Sequence, residues 1–168
     1  MKFGIDLSNK EVDSFLKSIN LEIAPPSFDF LCQIISSILE NIPFQNIYML
    51  TREKAAPSIE LIKSDMLTLK GGPCGHINPF LGSLLEKLGY DVSLVPGSMM
   101  QPNCHLGLLL FFKNKEYYID CGDGKPYFQP IPIFKNSNYK GPSHTWKSSQ
   151  KDNQLIIKYK NQKGDWFT

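Results

Sequence analysis

The fold is decided by a stretch in which a glycine-rich turn leads into an amphipathic helix and the pattern then changes. Residues 71–89 read GGPCGHINPFLGSLLEKLG. After Cys74 the apolar side chains recur at helical spacing, and Gly89 supplies a stop signal. The predicted buried face consists of Ile77, Phe80, Leu81, Leu84, Leu85 and Leu88. From Tyr90 onward the residues are typical of strands, so we expect helices before this point and a sheet after it.

Two more helices are predicted upstream. Ser8 and Glu11 have the spacing of a capping box, in which each residue satisfies a backbone N–H left open at a helix start. A second helix is expected to begin at Ser27 or Asp29 and to end before Pro43, because proline has no N–H and restricts the residue before it.

Three local expectations complete the helical half. Residues 44–57 show no clean period and are predicted to form a connecting loop. A short helical piece is expected from Ser58 to about Lys63. Pro79, which follows Cys74 closely, is expected to delay or kink the start of the third helix.

The second half is expected to be β structure. Residues 136–153 are polar and predicted to be loop-like, whereas the turn 161–164 starts a hairpin that the sequence does not finish. Helices followed by strands indicate an α+β fold, with a helical bundle before an antiparallel β-barrel or sheet. The expected subdomains are residues 1–89 and 90–168. The predicted strands are Tyr90–Val95, Leu106–Phe112, Glu116–Cys121 and Leu155–Tyr159.

Composition excludes several classes of protein. The chain has 168 residues, 42% hydrophobic and 20% charged, as expected of a globular protein. Its net charge of +2 shows no obvious basic block, so neither nucleic acid nor an anionic membrane is an expected partner. The apolar run at 108–112 is too short to span a bilayer, and no apolar signal opens the chain, so we expect a cytoplasmic protein.

The four cysteines predict free thiols rather than a zinc site or a disulfide framework. Cys32, Cys74, Cys104 and Cys121 form no C-x-x-C pair. Cys74 differs from the others because it stands at a predicted helix start, where the helix dipole favours an anion and lowers the pKa of a thiol. The alternative for Cys74 is a small buried apolar side chain.

A histidine and an aspartate are predicted to share one face of a hairpin. If its turn is at 113–114, paired residues have numbers that sum to 227, and His105 lies opposite Gly122. Asp120 is two residues from Gly122, so its side chain points to the same face as His105. The carboxylate could then hold the imidazole in one tautomer, as in nucleophile–base–acid triads. The alternative is a solvated histidine and a turn aspartate.

Metal and anion sites are weaker hypotheses. Cys74 and His76 make a Cys-x-His pair, but Cys104 and His105, as neighbours on a strand, would point to opposite faces. We therefore expect no metal. The turn at 122–124 could present N–H groups to an anion, although a single G-x-G is weak support.

Taken together, four segments resemble the arylamine N-acetyltransferase family. The family patterns, in order, are I-P-F-E-N-L, R-G-G-x-C-x-x-x-N, H-L-x-L and D-V-G-F-G. The corresponding segments here are IPFQNI at 42–47, KGGPC at 70–74 with Asn78, HLGL at 105–108 and DCGDG at 120–124.

The resemblance implies a papain-like core with Cys74, His105 and Asp120 as its catalytic triad. It also implies ping-pong chemistry, in which Cys74 takes an acetyl group from acetyl-coenzyme A and passes it to an arylamine, hydrazine or related amine. Acetyl-coenzyme A would be the co-substrate, with no metal. By the same resemblance, the acceptor pocket is lined by Phe44, Gly122, Asp123 and Gly124.

This sequence departs from the family pattern at three places. Lys70 and Gln45 stand where the family has an arginine and a glutamate that form an ion pair under the site, so a Lys–Gln hydrogen bond is expected instead. Asp123 replaces an apolar or small residue, which predicts a preference for cationic or hydroxylated acceptors. The family's C-terminal region has no counterpart here, and an exposed strand edge predicts pairing with a second copy of the chain.

Two other functions stay open at this point. The triad could hydrolyse thioesters or amides, as other papain-like cysteine enzymes do. The chain could also be an inactive binding module derived from the family, which its length and the changes at Lys70, Gln45 and Asp123 favour. The retained triad argues against that second alternative.

Overall fold

The computed structural model describes seven stretches of the chain. They are residues 3–50, 56–124, 127–133, 135–140, 145–152, 154–160 and 164–167.

The helices lie in the first half of the chain, as predicted. Ser8 Oγ accepts the N–H of Glu11 at 3.3 Å while Glu11 Oε2 accepts the N–H of Ser8 at 2.8 Å, so the capping box is confirmed. Ser27, rather than Asp29, caps the second helix. The helices are α1 (Asn9–Ser18), α2 (Phe28–Asn41), α3 (Ile47–Leu50), α4 (Ile59–Leu67) and α5 (Cys74–Lys87).

Two helical boundaries differ from the predictions. The segment predicted to be a loop contains α3, whose first N–H groups are accepted by Gln45 Oε1; residues 51–55 lie outside the described part. A helix of four residues is too short to show a period. Helix α4 continues beyond Lys63 because Ile62 and Met66, one turn apart, are both buried.

Helix α5 begins at Cys74 although Pro79 lies inside it. The predicted delay of the helix start is therefore wrong. Leu88 caps the helix and Gly89 follows with φ +92°, a left-handed conformation that glycine adopts without strain, which confirms the predicted stop.

The β part forms two open four-stranded sheets, each antiparallel throughout and ordered as in the sequence. Among the described residues no closed barrel is seen, so only the sheet alternative of the prediction is supported. The first sheet contains β1 (Asp91–Gly97), β2 (His105–Phe112), β3 (Lys115–Ile119) and β4 (Ile131–Pro132). The second contains β5 (Ser137–Lys140), β6 (Thr145–Lys151), β7 (Gln154–Lys160) and β8 (Trp166–Phe167).

The hairpin between β2 and β3 has the predicted register. Lys113 and Asn114 both have positive φ, at 49° and 59°, as in the type I′ turns that fit the twist of two-residue hairpins. Leu108 pairs with Ile119, which confirms the pairing on which the His105–Asp120 argument depends. His105 begins β2 and Asp120 directly follows β3.

The second sheet corrects two predictions. The polar segment predicted to be loop-like contains β5 and β6, because Trp146 and Ser148 are buried on one side of β6 while its other side is polar. The hairpin predicted to be unfinished is completed by β8, although residues 161–163 of its turn lie outside the described part. The unfinished hairpin therefore no longer supports pairing with a second copy of the chain, and the homo-oligomer stays a prediction.

One apolar core joins the helices to the first sheet. Leu16, Ile35 and Phe80 from the helices are buried together with Leu108 and Ile119 from the strands. A smaller core lies between the sheets, where Trp146 packs edge-on against Tyr127 with ring centroids 5.4 Å apart. The division at residue 89 stays a prediction, since both sides of it contribute to the main core.

Candidate active site

The turn before α5 is held against the segment that follows α2. The N–H of Gly72 donates to Pro43 O at 3.2 Å, and Phe44 forms a bridge with Gly72. Gly71 has φ +67°, and a Cβ there would lie 2.0 Å from Pro43 O, so this position requires glycine. The contacts fix the point at which Cys74 enters α5.

The Cys74 thiol lies half-buried at the first residue of α5. Its pKa is lowered mainly by a hydrogen bond with His105, and the N–H of Leu106 adds a further donor, whereas burial opposes the shift. The positive end of a helix dipole acts in the same direction. The surroundings of Cys74 therefore favour the thiolate.

His105 lies between the thiol and a buried carboxylate. Its Nε2 is 2.6 Å from Asp120 Oδ2, and His105 and Asp120 are 7% and 1% exposed. Burial lowers the pKa of His105, but the hydrogen bonds with Asp120 and Cys74 outweigh it and raise the pKa to about 10. Since Asp120 occupies Nε2, Nδ1 is the nitrogen left for Cys74, so the imidazole can link the thiol to the carboxylate.

Asp120 accepts three further hydrogen bonds. Its donors are the Asn78 amide at 2.8 Å, the Tyr118 hydroxyl at 2.8 Å and the N–H of Gly122 at 2.9 Å. Several donors to one buried carboxylate fix its orientation. The carboxylate is thereby held toward His105.

Asn78 makes several hydrogen bonds at the site that were not predicted from the sequence, where the residue served only as part of a family motif. Besides Asp120, its Nδ2 donates to Leu106 O at 2.6 Å and its Oδ1 accepts the N–H of Cys121 at 3.0 Å. Asn78 follows Cys74 by four residues, so both lie on one face of α5. That spacing was the available signal.

Of the residues predicted to line the acceptor pocket, Gly122 lies directly beside Cys74, and Gly124 lies beside Phe44. A Cβ on Gly122 would lie 2.6 Å from Cys74 Cα, so only glycine allows this approach. A Cβ on Gly124 would lie 3.6 Å from the ring of Phe44, which is half exposed. Asp123 accepts a hydrogen bond from the Tyr127 hydroxyl at 3.3 Å.

Lys70 and Gln45 interact differently from the prediction. The Gln45 side-chain amide donates to the main-chain carbonyl of Lys70 at 2.9 Å and makes no contact with its ammonium group that the structure records. The Lys70 ammonium lies 3.9 Å from the carboxylate of Asp65, which is 2% exposed, and 5.8 Å from the centre of the Tyr48 ring. Gln45 thus connects the segment after α2 to the segment before α5 through a hydrogen bond to the main chain.

Asp65 was missed by the sequence reasoning, and His76 was considered only as a metal ligand. His76 Nε2 lies 3.8 Å from Asp65 Oδ2, and both side chains are buried. His76 packs so closely under the turn that a Cβ on Gly72 would be 2.7 Å from it. Within the described ranges, no group of three or more His, Cys, Asp or Glu residues is arranged to hold a metal ion, and no helix is long and apolar enough to cross a membrane.

Comparison with known proteins matches the chain to one family. A family model described as N-acetyltransferase matches residues 27–168. Arylamine N-acetyltransferase, pineal gland isozyme NAT-10, of Gallus gallus is 28% identical over 114 residues, which are 61% of this chain and 39% of that protein. Arylamine N-acetyltransferase 2 of Mus musculus is 24% identical over 136 residues, 73% of this chain and 47% of that protein. The chain spans about half the length of the curated relatives it matches.

Solved structures share the fold. An arylamine N-acetyltransferase of Bacillus cereus, described as having a Cys-His-Glu catalytic triad, superposes with a TM-score of 0.80 at 21% identity, covering 95% of this chain and 67% of that one. The Mycobacterium marinum enzyme in complex with CoA gives 0.81 at 20% identity, covering 93% and 62%. With the family model matched from residue 27 to residue 168, the chain belongs to the arylamine N-acetyltransferase family.

Proposed function

We propose that the chain is an acetyl-coenzyme-A-dependent N-acetyltransferase that works through a thioester on Cys74. The observation that carries this proposal is the continuous hydrogen-bonded chain of Cys74, His105 and Asp120 at the start of α5. Its order of nucleophile, base and acid is that of papain-like cysteine enzymes. Similarity to named arylamine N-acetyltransferases supports acetyl transfer as the reaction.

In the first half-reaction, the Cys74 thiolate attacks the carbonyl carbon of acetyl-coenzyme A. The tetrahedral oxyanion collapses, the carbon–sulfur bond to coenzyme A breaks, and His105 gives its proton to the departing thiolate. The products are the Cys74 acetyl thioester, neutral His105 and coenzyme A. N–H groups of the first turn of α5, which have no acceptor within the helix, are suited to stabilise the oxyanion.

In the second half-reaction, an amine attacks the thioester carbon and His105 takes its proton. The carbon–sulfur bond to Cys74 then breaks, which releases the amide and restores the thiolate–imidazolium pair. The thiolate suits both steps, because it is a strong nucleophile and a good leaving group. Asp120 stabilises the imidazolium in the resting state and keeps the ring in one orientation.

The choice of coenzyme A as donor is supported by the M. marinum relative, which was solved in complex with CoA. The acid of the proposed triad differs from that of the B. cereus enzyme, whose triad is described as Cys-His-Glu. Asp120 is one methylene shorter than a glutamate, and its donors, His105 and Asn78 among them, lie at 2.6–2.9 Å. The shorter side chain thus reaches His105 directly.

We further propose that Asp123 selects the acceptor. Its half-buried carboxylate belongs to the turn after β3, between Gly122 and Gly124, and accepts a hydrogen bond from the Tyr127 hydroxyl at 3.3 Å. A carboxylate there attracts amines that are cationic or carry hydroxyl donors. Asp123→Asn and Asp123→Phe should shift the ranking of acceptors by kcat/KM toward neutral apolar arylamines. An unchanged ranking in both variants would refute this role.

The test of the proposed function is a steady-state assay with acetyl-coenzyme A and a panel of arylamines and arylhydrazines. Parallel double-reciprocal lines are expected, because a covalent intermediate separates the two substrates. Cys74→Ala should abolish transfer, and His105→Gln should lower it by about 10²–10⁴-fold. Release of coenzyme A at a rate that is independent of the amine would instead assign thioester hydrolysis. No turnover with any acceptor would favour the inactive binding module.

A further inference from the structure

Charge is distributed unevenly along the chain. Residues 1–134 carry 11 basic and 14 acidic residues, for a net charge of −3, whereas residues 135–168 carry seven lysines and two aspartates, for a net charge of +5. The overall charge of +2 conceals this asymmetry. A segment so strongly basic in an otherwise acidic chain is typical of a surface that meets anions.

The second sheet gathers these lysines on its outer face. Its inner face is marked by Trp146, Ile157 and Tyr159, which pack in the smaller core, so alternation along each strand sends the lysines outward. The strands β5–β8, as described, contain no acidic residue, since Asp152 and Asp165 lie just outside them. The outward lysines are Lys140, Lys147, Lys151, Lys158 and Lys160.

Two of these lysines stand side by side. Lys147 pairs directly with Lys158 across β6 and β7, and Asn138 pairs with Lys147 on the other side. Directly opposed like charges destabilise a sheet, because their Cβ atoms are only about 4.5–5.5 Å apart. Such a pair is unfavourable for the isolated fold, and an anion between the two ammonium groups would relieve the repulsion.

The pair borders an open cavity with the right chemistry for an oxyanion. The cavity has a volume of about 330 Å³, and its lining includes Asn138, Lys147, Ser149 and Lys158. The side chains of these four residues all carry hydrogen-bond donors, and both cations are present. A tetrahedral oxyanion such as a phosphate group matches this set.

An aromatic ring holds one of the cations in place. The Lys147 ammonium lies 4.3 Å from the centre of the Trp166 ring, and that of Lys160 lies 5.9 Å from it. Cation–π contacts restrict the rotamers of a long side chain, so less conformational entropy is lost when a ligand binds. The ring also places a fluorescent reporter beside the Lys147 ammonium.

We propose that the outer face of the second sheet binds a phosphate group between Lys147 and Lys158. The site is separate from the Cys74 triad and does not depend on the acetyl-transfer reaction. The phosphate could belong to a free phosphorylated metabolite or to a lipid headgroup, because both present the same oxyanion chemistry.

The proposal can be tested with inorganic pyrophosphate as the probe. Calorimetric titration at low ionic strength, with tryptophan fluorescence followed in parallel, should show saturable binding that weakens as salt is added. Lys147→Gln and Lys158→Gln should each weaken binding by about tenfold or more, the loss of one charge-assisted hydrogen bond. The charge-matched control Lys10→Gln, on α1, should leave binding within about twofold of the unaltered chain, since an exposed distant charge is largely screened.

A second arm identifies the source of the phosphate. Sedimentation with vesicles of phosphatidylglycerol, against phosphatidylcholine alone, assigns a lipid headgroup if the vesicles bind, pyrophosphate does not, and both lysine variants abolish vesicle binding. Saturable binding of pyrophosphate assigns a free phosphate ligand. Cys74→Ala should bind either probe normally, which separates this site from the proposed enzyme activity. Binding of neither probe, or equal binding by Lys147→Gln, Lys158→Gln and Lys10→Gln, overturns the proposal.

Discussion

A single buried carboxylate, that of Asp120, orders the residues around the candidate nucleophile. It accepts hydrogen bonds from a strand histidine, a helix asparagine, a tyrosine hydroxyl and a backbone N–H. Because these donors come from α5, β2, β3 and the turn after β3, the geometry of the site depends on the whole arrangement of elements.

The reactivity of Cys74 should show an unusual pH dependence. Its lowered pKa and the raised pKa of His105 keep the thiolate–imidazolium pair populated across neutral pH. We expect alkylation by iodoacetamide, measured by peptide mass spectrometry, to stay fast down to a lower pH than for an ordinary thiol. His105→Gln should move the alkylation midpoint upward. Because Cys104 is exposed and would also react, the measurement is made in the Cys104→Ser variant. An alkylation midpoint of Cys74 at the same pH as that of free cysteine would contradict this account.

Replacement of Asn78 should destabilise the fold as well as the site. Asn78→Ala removes the partner of the buried Cys121 N–H and the donor that serves both Asp120 and Leu106. The expected loss in the free energy of unfolding is about 1–3 kcal/mol, measured by urea denaturation. Asn41→Ala is the matched control, because the Asn41 amide donates to Ser37 O within its own helix. Asn41→Ala should cost less than Asn78→Ala, and the reverse order would refute the assigned role.

At the level of single residues, hydrophobic periodicity alone predicted little of the site, and two other features of the sequence predicted more. Hairpin spacing placed His105 and Asp120 on one face, and the family motifs added Cys74. Asp65 and the partner of Gln45 were not predicted, because a buried carboxylate and a backbone acceptor leave no pattern along the chain. The contact of the Lys70 ammonium with Asp65 was missed for the same reason, since only the folded structure brings the two together.

Among the elements, α5 and the turn after β3 pack closely against each other at the site. Gly122→Ala would place a methyl group 2.6 Å from Cys74 Cα and 2.9 Å from Asn78 Nδ2, so the turn must move away. We expect slower alkylation of Cys74 and a lower melting temperature by calorimetry. Gly75→Ala is the matched control, because its methyl group meets nothing within 4 Å and alanine favours a helix. A variant Gly122→Ala as stable as Gly75→Ala would contradict the packing described here.

The second sheet shows where prediction of elements from sequence fails. Strand β6 has a buried Trp146 and Ser148 on its inner side and polar residues on the other, so it presents little hydrophobic alternation. Strand β6 forms because it pairs with β7 and covers the smaller core. Both interactions involve residues outside β6, which a local sequence pattern does not show. By contrast, α2 and β2 carry long apolar patterns, and their predicted bounds lie close to the observed ones.

For the molecule as a whole, the proposed ion pair of Cys74 and His105 predicts how the free energy of unfolding depends on pH. His105 has a folded pKa of about 10, above its ordinary 6.5, so alone it would contribute stability that is lost as pH rises from 6.5 to 10. Cys74 has a folded pKa below its ordinary 9.0, so alone it would contribute stability that is lost as pH falls. A charged folded pair holds one proton, as the unfolded pair does between about pH 6.5 and 9, so over that range the two slopes would cancel.

Cys74→Ala should therefore alter the pH dependence of unfolding. Without the thiolate, the raised pKa of His105 is no longer offset, and the free energy of unfolding should fall as pH rises above about 6.5. Urea denaturation of both proteins from pH 6 to 9 measures this difference. Parallel stability profiles for the unaltered chain and Cys74→Ala would show that the pair is not charged.

The most direct test of the central claim is the intact mass of the protein after incubation with acetyl-coenzyme A alone, beside Cys74→Ala. We predict one added acetyl group on the unaltered chain, none on the variant, and loss of the group when an arylamine is added. No adduct on the unaltered chain, or an equal adduct on Cys74→Ala, would contradict acyl transfer through Cys74.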